Sequence, residues 1–244
     1  MGQHFLTDER IAARIADSLS VNPTAKIIEI GPGMGVLTKY LLDRPHLITM
    51  DVDQESVQYL KEFYPDHQEK FLLEDFLRSE LSTFNLPIQI IGNLPYNISS
   101  QIFFKVYDHR NDVQEMVCMI QKEVADRIVS KEGNKVYGIL SVLLQAFYDI
   151  KYLFTVKPGV FNPPPKVNSA VIKLERNQVK QLACDEVLFK KVVKAGFGKR
   201  RKTLRNALKD LNLSLEAVPD DLLGQRAEQL SVESFIKLTN HLSL

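Results

Sequence analysis

The stretch Gly92–Ser99 contains the residue types in this chain best suited to chemistry. It follows Ile88–Ile91, a short apolar run typical of a buried parallel strand. Open α/β sheets bind ligands at the carboxyl ends of such strands, and there the Asn93 side-chain oxygen and the Leu94 carbonyl could hold the hydrogens of an exocyclic amine. Tyr96 offers a ring on which a base can stack. The turn therefore predicts attack by an aromatic amine on an electrophilic carbon. The alternative is an ordinary strand-to-helix turn with Asn and Pro as breakers.

A glycine-rich turn lies between a second predicted strand, Lys26–Ile30, and a predicted helix, Val36–Leu42. Its sequence, Gly-Pro-Gly-Met-Gly at 31–35, lets the backbone turn sharply and approach a ligand. Val36 occupies the place of the last glycine in the dinucleotide motif Gly-x-Gly-x-x-Gly. This spacing argues against a pyrophosphate-binding site and for a nucleoside cofactor without phosphate. A purely structural turn explains two glycines more readily than three alternating ones that follow Glu29.

Two further predicted strands end in acidic residues. Leu47–Met50 is followed by Asp51, twenty residues after Gly31, about where an acid accepts hydrogen bonds from ribose hydroxyls. Lys70–Leu73 is followed closely by Asp75, which could accept from an adenine amine. The glycine turn and the two acids therefore predict one crevice. For Asp51 the alternative is a solvated acid at a helix start, a role that fits Asp53 better because the chain is predicted to be helical from Gln54 onward.

With these motifs the chain resembles the S-adenosylmethionine-dependent ribosomal RNA adenine dimethyltransferases, and among them the KsgA type that modifies small-subunit (16S) rRNA. The resemblance covers roughly nine-tenths of the chain. It implies an α/β fold: a Rossmann-like class I methyltransferase sheet with a small C-terminal all-helical domain. The segments that carry the resemblance are Gly2–Leu6, Glu29–Gly33, Gly92–Ser99, Gln121–Val124, Tyr137-Gly138, Phe161–Val167 and Phe197–Asn206.

The resemblance also implies an activity and the residues that perform it. The implied reaction transfers methyl groups from S-adenosylmethionine to N6 of two adjacent adenines in 16S rRNA, dimethylating each during ribosome biogenesis. Cofactor contacts are implied for His4, Leu6, Gly31, Gly33, Asp51, Asp75 and Asn93. Handling of the target adenine is implied for Asn93, Leu94, Tyr96 and Phe161.

Three features depart from the family pattern. Relatives usually have a glutamate at the position of Asp51. The aspartate side chain is one methylene shorter, so its contact with the ribose is expected to be longer or bridged by water. Many relatives have asparagine where His4 stands. Relatives also carry a basic segment before the motif that starts at Gly2, whereas here Met1 abuts it, which suggests a trimmed N-terminus.

The segment Phe161–Ser169 contains three consecutive prolines and is predicted to be a rigid extended loop. It leads into a predicted strand, Val167–Leu174. From the residues alone, two interpretations are equally open: a proline-rich linker in which Phe161 is a buried anchor, or a loop that presents Phe161 to clamp a base opposite Tyr96. The resemblance favours the clamp.

Composition is that of a globular protein large enough for one α/β core and a small appendage. The chain has 244 residues, of which 45% are hydrophobic and 25% charged. Neither a membrane-spanning run nor a signal sequence is evident, so a cytoplasmic location is expected. Cys118, in the predicted buried strand Val117–Ile120, and Cys184 lack C-x-x-C spacing, and the five histidines lack metal-ligand spacing. We therefore expect no metal, and the absence of a long apolar heptad suggests a monomer.

The net charge of +1 conceals an asymmetry. Residues 1–176 contain 19 Lys and Arg against 22 Asp and Glu, whereas residues 177–244 contain 12 against 8. The sequence predicts a catalytic, cofactor-binding domain at 1–178 and a helical RNA-binding domain at 179–244, with helices near 185–196, 200–211 and 231–242. The predicted RNA contacts of this domain are Lys199, Arg200 and Arg201, which crowd the start of the middle helix, together with Lys202 and Arg205 on that helix. A solvated run of charge is the alternative.

Three other functions remain open at this level. The first is methylation of large-subunit rRNA, which confers antibiotic resistance; the triple proline and the segment Phe197–Asn206 argue against it. The second is a ribosome-assembly factor whose rRNA binding matters more than catalysis. The third is DNA adenine methylation, which shares the Asn-Leu-Pro-Tyr sequence.

Overall fold

The computed structural model describes residues 4–242 and contains nine strands in that range. Residues Gly2 and Gln3 of the N-terminal motif lie outside the described residues. The six strands predicted from the sequence are all present, with ends shifted by a few residues. The strands are β1 (Phe5–Leu6), β2 (Lys26–Ile30), β3 (Leu47–Asp51), β4 (Phe71–Leu73), β5 (Ile88–Asn93), β6 (Val113–Gln121), β7 (Tyr148–Val156), β8 (Phe161–Asn162) and β9 (Ser169–Arg176).

The same range contains nine α-helices and several single 3-10 turns. The helix after β3 begins where the sequence predicts, because the Asp53 carboxylate caps it by accepting from the Glu55 N–H and the Ser56 hydroxyl. The helices are α1 (Glu9–Ser18), α2 (Gln54–Phe63), α3 (Ser99–Asp108), α4 (Lys122–Val129), α5 (Ile139–Gln145), α6 (Glu186–Gly198), α7 (Leu204–Ala207), α8 (Asp220–Leu223) and α9 (Val232–Leu242).

Seven strands form one sheet in the order β4-β3-β2-β5-β6-β9-β7. The five strands from β4 to β6 run parallel, and β9 pairs antiparallel with β6. The apolar runs of the central strands are buried; Ile88, Ile90 and Ile91 of β5 have no exposed surface. Because the parallel strands all point the same way, the glycine turn after β2, Asp51 at the end of β3 and Asn93 at the end of β5 share one edge of the sheet.

The chain divides into two compact units, and the division differs from the predicted domains. The first unit comprises the described residues up to Ala125 together with Asp149–Arg176. The second comprises Asp126–Tyr148 and the described residues from Asn177 onward. The main boundary therefore falls two residues before the predicted one at 178/179. The segment Asp126–Tyr148, which the sequence analysis placed in the first domain, belongs to the second unit.

Tertiary contacts explain why the segment 126–148 joins the second unit. Helix α5 packs against α6 and α9. The Gly133 N–H donates to the Glu228 carbonyl at 2.7 Å, and the Tyr137 ring lies edge-on to the Phe197 ring. These contacts join residues that are far apart in sequence, and local patterns do not reveal them.

The helix predicted at Val36–Leu42 is only a 3-10 turn, Thr38–Tyr40. The amides of Tyr40 and Leu41 bond to carbonyls three residues earlier, at Leu37 and Thr38, rather than four. Leu37 and Leu41 are buried in the hydrophobic core of the first unit, which favours this 3-10 conformation.

The helices predicted near 185–196 and 231–242 are present as α6 and α9. The one predicted at 200–211 is shorter: α7 covers only Leu204–Ala207, and a 3-10 turn follows at Lys209–Leu211. Leu204 and Leu208 in this region are fully buried. None of the described helices combines the length and the apolar character needed to span a bilayer.

Candidate functional site

A cavity of about 570 Å³ lies in the first unit at the carboxyl edge of the sheet. It collects side chains from the N-terminal segment, the glycine turn, the ends of β3 and β5, and the loop after β4. Every predicted cofactor contact lines it, and so do three of the four predicted adenine contacts. The predicted residues found there are His4, Leu6, Gly31, Gly33, Asp51, Asp75, Asn93, Leu94 and Tyr96.

The glycine turn approaches the N-terminal segment so closely that a side chain at Gly33 would crowd the Phe5 ring. Gly33 has φ +52°, and a Cβ built on it would lie 3.0 Å from Cε1 of Phe5. Gly31 also has positive φ, and its N–H donates to the Met50 carbonyl at 2.9 Å. The backbone of this turn therefore forms one wall of the cavity, with Phe5 packed against it.

Asp51 is held at the opposite side of the glycine turn by backbone hydrogen bonds. Its side chain accepts from the Asp53 N–H at 3.0 Å, and the residue is only 7% exposed. Burial raises the pKa of Asp51 above its usual value, while hydrogen bonds from the Asp53 and Gly33 N–H groups act in the opposite direction. The carboxylate is thus fixed in place and partly desolvated, as expected of an acceptor for neutral hydroxyl donors.

Asp75 reaches the cavity from the loop that follows β4. Its carboxylate accepts from the Leu77 N–H at 2.9 Å and forms an ion pair with Arg78 at 3.5 Å. These two contacts orient the side chain, which keeps about a third of its surface exposed.

The Asn93 amide is oriented by the N-terminal segment. Its Nδ2 donates to the His4 carbonyl at 3.2 Å, so the amide oxygen is directed away from that contact. The next residue, Leu94, donates its N–H to the Met119 carbonyl of β6 at 3.0 Å, which fixes the turn onto the sheet. An amide oxygen and a main-chain carbonyl are thus presented from consecutive residues beside the cavity.

Tyr96 is half-buried, and both ends of its side chain are restrained. Its hydroxyl lies 2.6 Å from the Ser169 hydroxyl, and its ring centroid lies 5.7 Å from that of His4. Burial raises the pKa of Tyr96 above its usual value, so the phenol stays neutral at physiological pH. No role was predicted for Ser169, whose only signal in the sequence is its place at the end of the proline-rich segment.

Phe161 does not lie where the predicted base clamp would need it. It is 4% exposed, packs in the core cluster of the first unit with Leu6 and Val160, and is not among the residues lining the cavity. Pairing of β8 with β1, in which Phe161 is opposite Leu6, turns the ring inward. The clamp stays a prediction, and it requires the Phe161 ring to be uncovered when a base enters.

Glu29 is a buried acid at the cavity that the sequence analysis noted without a role. It is 1% exposed, and its Oε2 has no hydrogen-bond partner among the described residues. Among the described residues the Thr49 hydroxyl is likewise buried without a partner, and Thr49 sits beside Glu29 in the β2–β3 register. Burial raises the pKa of Glu29 to about 8; the neighbouring Thr38 hydroxyl acts in the opposite direction, and Asp51 makes a smaller contribution that raises the pKa.

The raised pKa of Glu29 predicts that the cofactor-free protein loses stability as pH rises. Between the ordinary value of 4.5 and about 8, the unfolded chain has released this proton while the folded protein retains it. The free energy of unfolding should therefore fall across that window, by at most about 1.4 kcal/mol per pH unit, and level off above it. Glu29→Gln should remove this component, and thermal unfolding between pH 5 and pH 9 measures it.

Glu69→Gln, which alters an exposed glutamate, is the matched control and should keep the wild-type pH profile. If the Glu29→Gln profile ran parallel to that of the wild type, Glu29 would not be the titrating group.

All five predicted RNA-contacting cations lie in the second unit; four of them precede α7, and Arg205 is the second residue of that helix. Lys199 through Lys202 occupy the turn between α6 and α7, and Thr203 precedes the first residue of α7. Two of the five cations are in exposed ion pairs. Lys199 contacts Asp210 at 2.6 Å, and Arg205 contacts Asp220.

Arg200 is used inside the second unit. Its guanidinium donates to the carbonyls of Lys135 and Tyr137 and lies 3.7 Å from the Glu228 carboxylate. Among the described residues, the side chains of Arg201 and Lys202 are exposed and make neither an ion pair nor a hydrogen bond. These two cations are therefore the ones most available to a polyanion.

Comparison with known proteins gives one consistent family. The family model described as ribosomal RNA adenine dimethylase matches residues 1–243. A protein of Cytophaga hutchinsonii named "Ribosomal RNA small subunit methyltransferase A" is 54% identical, with all of this chain and 96% of the relative covered. One of the same name from Flavobacterium johnsoniae is also 54% identical, covering 98% of this chain and 93% of the relative.

Solved structures agree with this assignment. A dimethyladenosine transferase from Plasmodium falciparum superposes with a TM-score of 0.80 at 25% identity and 96% coverage of both chains. The 23S rRNA methyltransferase ErmE, at 23% identity, superposes with a TM-score of 0.75 over 98% of this chain and 100% of that one, which shows the shared fold. The predicted class I methyltransferase fold is therefore confirmed. The chain belongs to the ribosomal RNA adenine dimethylase family.

Proposed function

We propose that this protein transfers methyl groups from S-adenosylmethionine to N6 of two adjacent adenines of small-subunit (16S) rRNA, dimethylating each during ribosome assembly in the cytoplasm. One observation carries the proposal. Asn93, whose amide is oriented by the His4 carbonyl, lines the same cavity as Leu94, Tyr96, the glycine turn, Asp51 and Asp75.

The residues present fit an S-adenosylmethionine cofactor. Among the described residues that line the cavity there is no Lys or Arg, whereas Glu29, Asp51 and Asp75 are all acids. Such a lining disfavours a pyrophosphate and suits a cationic nucleoside. We assign the ribose hydroxyls to Asp51 and the adenine amine to Asp75. The main chain of the glycine turn lines the cavity at Gly31 and Gly33, so it would lie close to the ligand, and His4 and Leu6 line the cavity as well.

When bound, the cofactor supplies an electrophilic methyl group, and this chain's own residues orient the nucleophile. The lone pair of an aromatic amine is delocalised into its ring, which makes the amine a weak nucleophile. Hydrogen bonds from its two N–H groups to the Asn93 oxygen and the Leu94 carbonyl would hold it and favour a pyramidal nitrogen. Tyr96 would stack on the base after it leaves the RNA stack.

A strong general base is not required for this reaction. The alkylated aromatic ammonium is acidic and loses its proton after transfer. Catalysis then comes from proximity and orientation, which can supply a large part of the barrier reduction when the reacting atoms are held in line. The second methylation requires the monomethylated base to turn and rebind, so the space around N6 must accept a methyl group.

Names of the relatives support the small ribosomal subunit as substrate, since those at 54% identity are named small-subunit methyltransferases. We propose that the second unit binds the rRNA through the turn that bears Lys199–Lys202, and that the protein works as a metal-free monomer on an immature subunit.

Mass spectrometry of rRNA digests after incubation with labelled cofactor tests the whole proposal. Dimethyladenosine in small-subunit rRNA is expected. Label confined to large-subunit RNA or to DNA would overturn the choice of substrate, and the absence of cofactor binding in calorimetry would overturn the reaction.

We expect Arg201 and Lys202 to contribute more to RNA affinity than Arg200 does. The double variant Arg201→Gln/Lys202→Gln should reduce the slope of log affinity against log salt by about 1.5, because each lost phosphate contact removes about 0.7–0.9. Filter binding to small-subunit rRNA between 50 and 300 mM salt, roughly the range in which phosphate contacts are sensitive, measures the slope.

Two comparisons sharpen this test. Lys191→Gln/Lys237→Gln removes the same charge from exposed sites of the second unit outside the 199–202 turn, and should leave the slope nearly unchanged. Arg200→Gln should lower the melting temperature instead, because it releases the carbonyls of Lys135 and Tyr137. Equal slope losses in both double variants would mean that RNA binding depends on net charge rather than on this turn.

A further inference from the structure

The side chain of Tyr96 ends at a buried residue of a distant segment. Ser169 has no exposed surface, and its position is fixed by pairing with Gln121 of β6 at the start of β9. The 2.6 Å contact between the two hydroxyls therefore fastens the tip of the Tyr96 ring to the sheet. A ring held in this way keeps one plane beside the cavity, which is what stacking on a planar base requires.

Asn93 is connected to the same segment through His4. The His4 Nδ1 lies 2.8 Å from the Pro163 carbonyl oxygen, which can only accept, so Nδ1 carries the hydrogen. The His4 carbonyl in turn receives the Asn93 amide, and the His4 ring lies beside that of Tyr96. Pairing of β1 with β8 and the bond from the Thr7 N–H to the Val160 carbonyl, at 2.8 Å, hold the residues that follow His4 against the same segment.

We propose that the segment 160–169 is a brace that positions the two catalytic side chains: Tyr96 directly through Ser169, and Asn93 through Pro163 and His4. Ser169 and His4 are then positioning residues for methyl transfer. In this arrangement the segment acts through its carbonyl and hydroxyl groups, and it does so whether or not the Phe161 ring meets the base. The proposal rests on the function proposed above, because positioning has meaning only for a turn that handles the target amine.

The brace predicts a loss of turnover without a loss of cofactor affinity. Ser169→Ala should lower kcat about 10-fold, the order expected when one hydrogen bond that orients a reacting group is lost, while the dissociation constant for S-adenosylmethionine stays within about twofold. Tyr96→Phe keeps the ring and removes only its hydroxyl, and should show the same loss.

A double-mutant cycle separates positioning from general packing. If Ser169 acts through the Tyr96 hydroxyl, Ser169→Ala should have no further effect in the Tyr96→Phe background. Equal effects in both backgrounds, or an unchanged kcat in Ser169→Ala, would overturn the proposal. Should Ser169→Ala fail to fold, Tyr96→Phe alone decides: a kcat equal to that of the wild type overturns the brace.

His4 gives an independent arm of the same test. His4→Ala should lower kcat at saturating cofactor, and His4→Asn should restore most of it, because the asparagine Nδ2 can occupy the place of the histidine Nδ1 and still donate to Pro163. A His4→Ala variant that loses cofactor affinity but keeps kcat would make His4 a cofactor contact only. A wild-type protein that methylates no RNA would refute the proposed function itself, whereas an active wild type with additive variants refutes only the brace.

Discussion

Asn93→Ala should lose at least about 100-fold in turnover while binding S-adenosylmethionine nearly as well as the wild type. The expected size is that of removing one hydrogen-bonding group aimed at a reacting centre. The amide oxygen is the group lost, and its orientation is set by the bond from Nδ2 to the His4 carbonyl. Alanine retains the backbone of β5, so the glycine turn and Asp51 should keep their places. Single-turnover methylation of small-subunit rRNA, together with calorimetry of cofactor binding, measures the two quantities separately.

Asn111→Ala is a suitable control, because Asn111 is an exposed asparagine in the turn before β6 and does not line the cavity. It should methylate at the wild-type rate. Turnover of Asn93→Ala close to that of the control would mean that the amide does not orient the target amine.

Gly92→Ala should destabilise the fold and displace the catalytic turn at the same time. A Cβ at Gly92 would lie 2.5 Å from the carbonyl oxygen of Ile30, on the neighbouring strand β2. Because the obstructing atom belongs to the backbone of a central strand, the two strands must separate rather than a side chain rotate. We expect a loss of about 3 kcal/mol in the free energy of unfolding, or roughly 6–12 °C in melting temperature.

Activity should fall further than stability alone explains, because Gly92 immediately precedes Asn93. The control is Gly159→Ala, where an added Cβ meets no atom within 4 Å. Thermal unfolding and methylation at a temperature well below both transitions distinguish the two effects. A Gly92→Ala protein as stable and active as Gly159→Ala would show that β2 and β5 tolerate wider spacing.

The sequence predicted six of the seven strands of the large sheet, together with the polar residues that follow several of them, but it did not predict β7. Apolar runs such as Ile88–Ile91 and the alternating glycines at 31–35 are local signals of strand and turn. Parallel strands bring their carboxyl ends to one edge, so the predicted cofactor contacts lie around a single cavity. The domain boundary was less accurate, because the segment 126–148 joins the second unit through contacts with α6 and α9.

Side-chain partnerships were beyond the reach of local patterns. From the sequence, the four cations at 199–202 are equally good candidates for RNA contacts. In the folded chain, however, Arg200 donates hydrogen bonds to the carbonyls of Tyr137 and Lys135, which lie 63 and 65 residues earlier. The residues around Phe161 are compatible both with a base clamp and with a core position, so the sequence does not distinguish the two. In the structure, β8 pairs with β1 and Phe161 lies in the core. The sequence also does not reveal that Oε2 of Glu29 is buried without a hydrogen-bond partner among the described residues.

The amino-acid order alone determined which chemistry this protein can support, because residue type and spacing along one strand end are properties of a few neighbouring positions. Tertiary structure decided how those groups are aimed. Tyr96 is held by Ser169, 73 residues later, and His4 by Pro163, 159 residues later. Contacts over such separations exist only once the sheet has brought distant segments together, so the direction of the Asn93 amide and the plane of the Tyr96 ring belong to the fold.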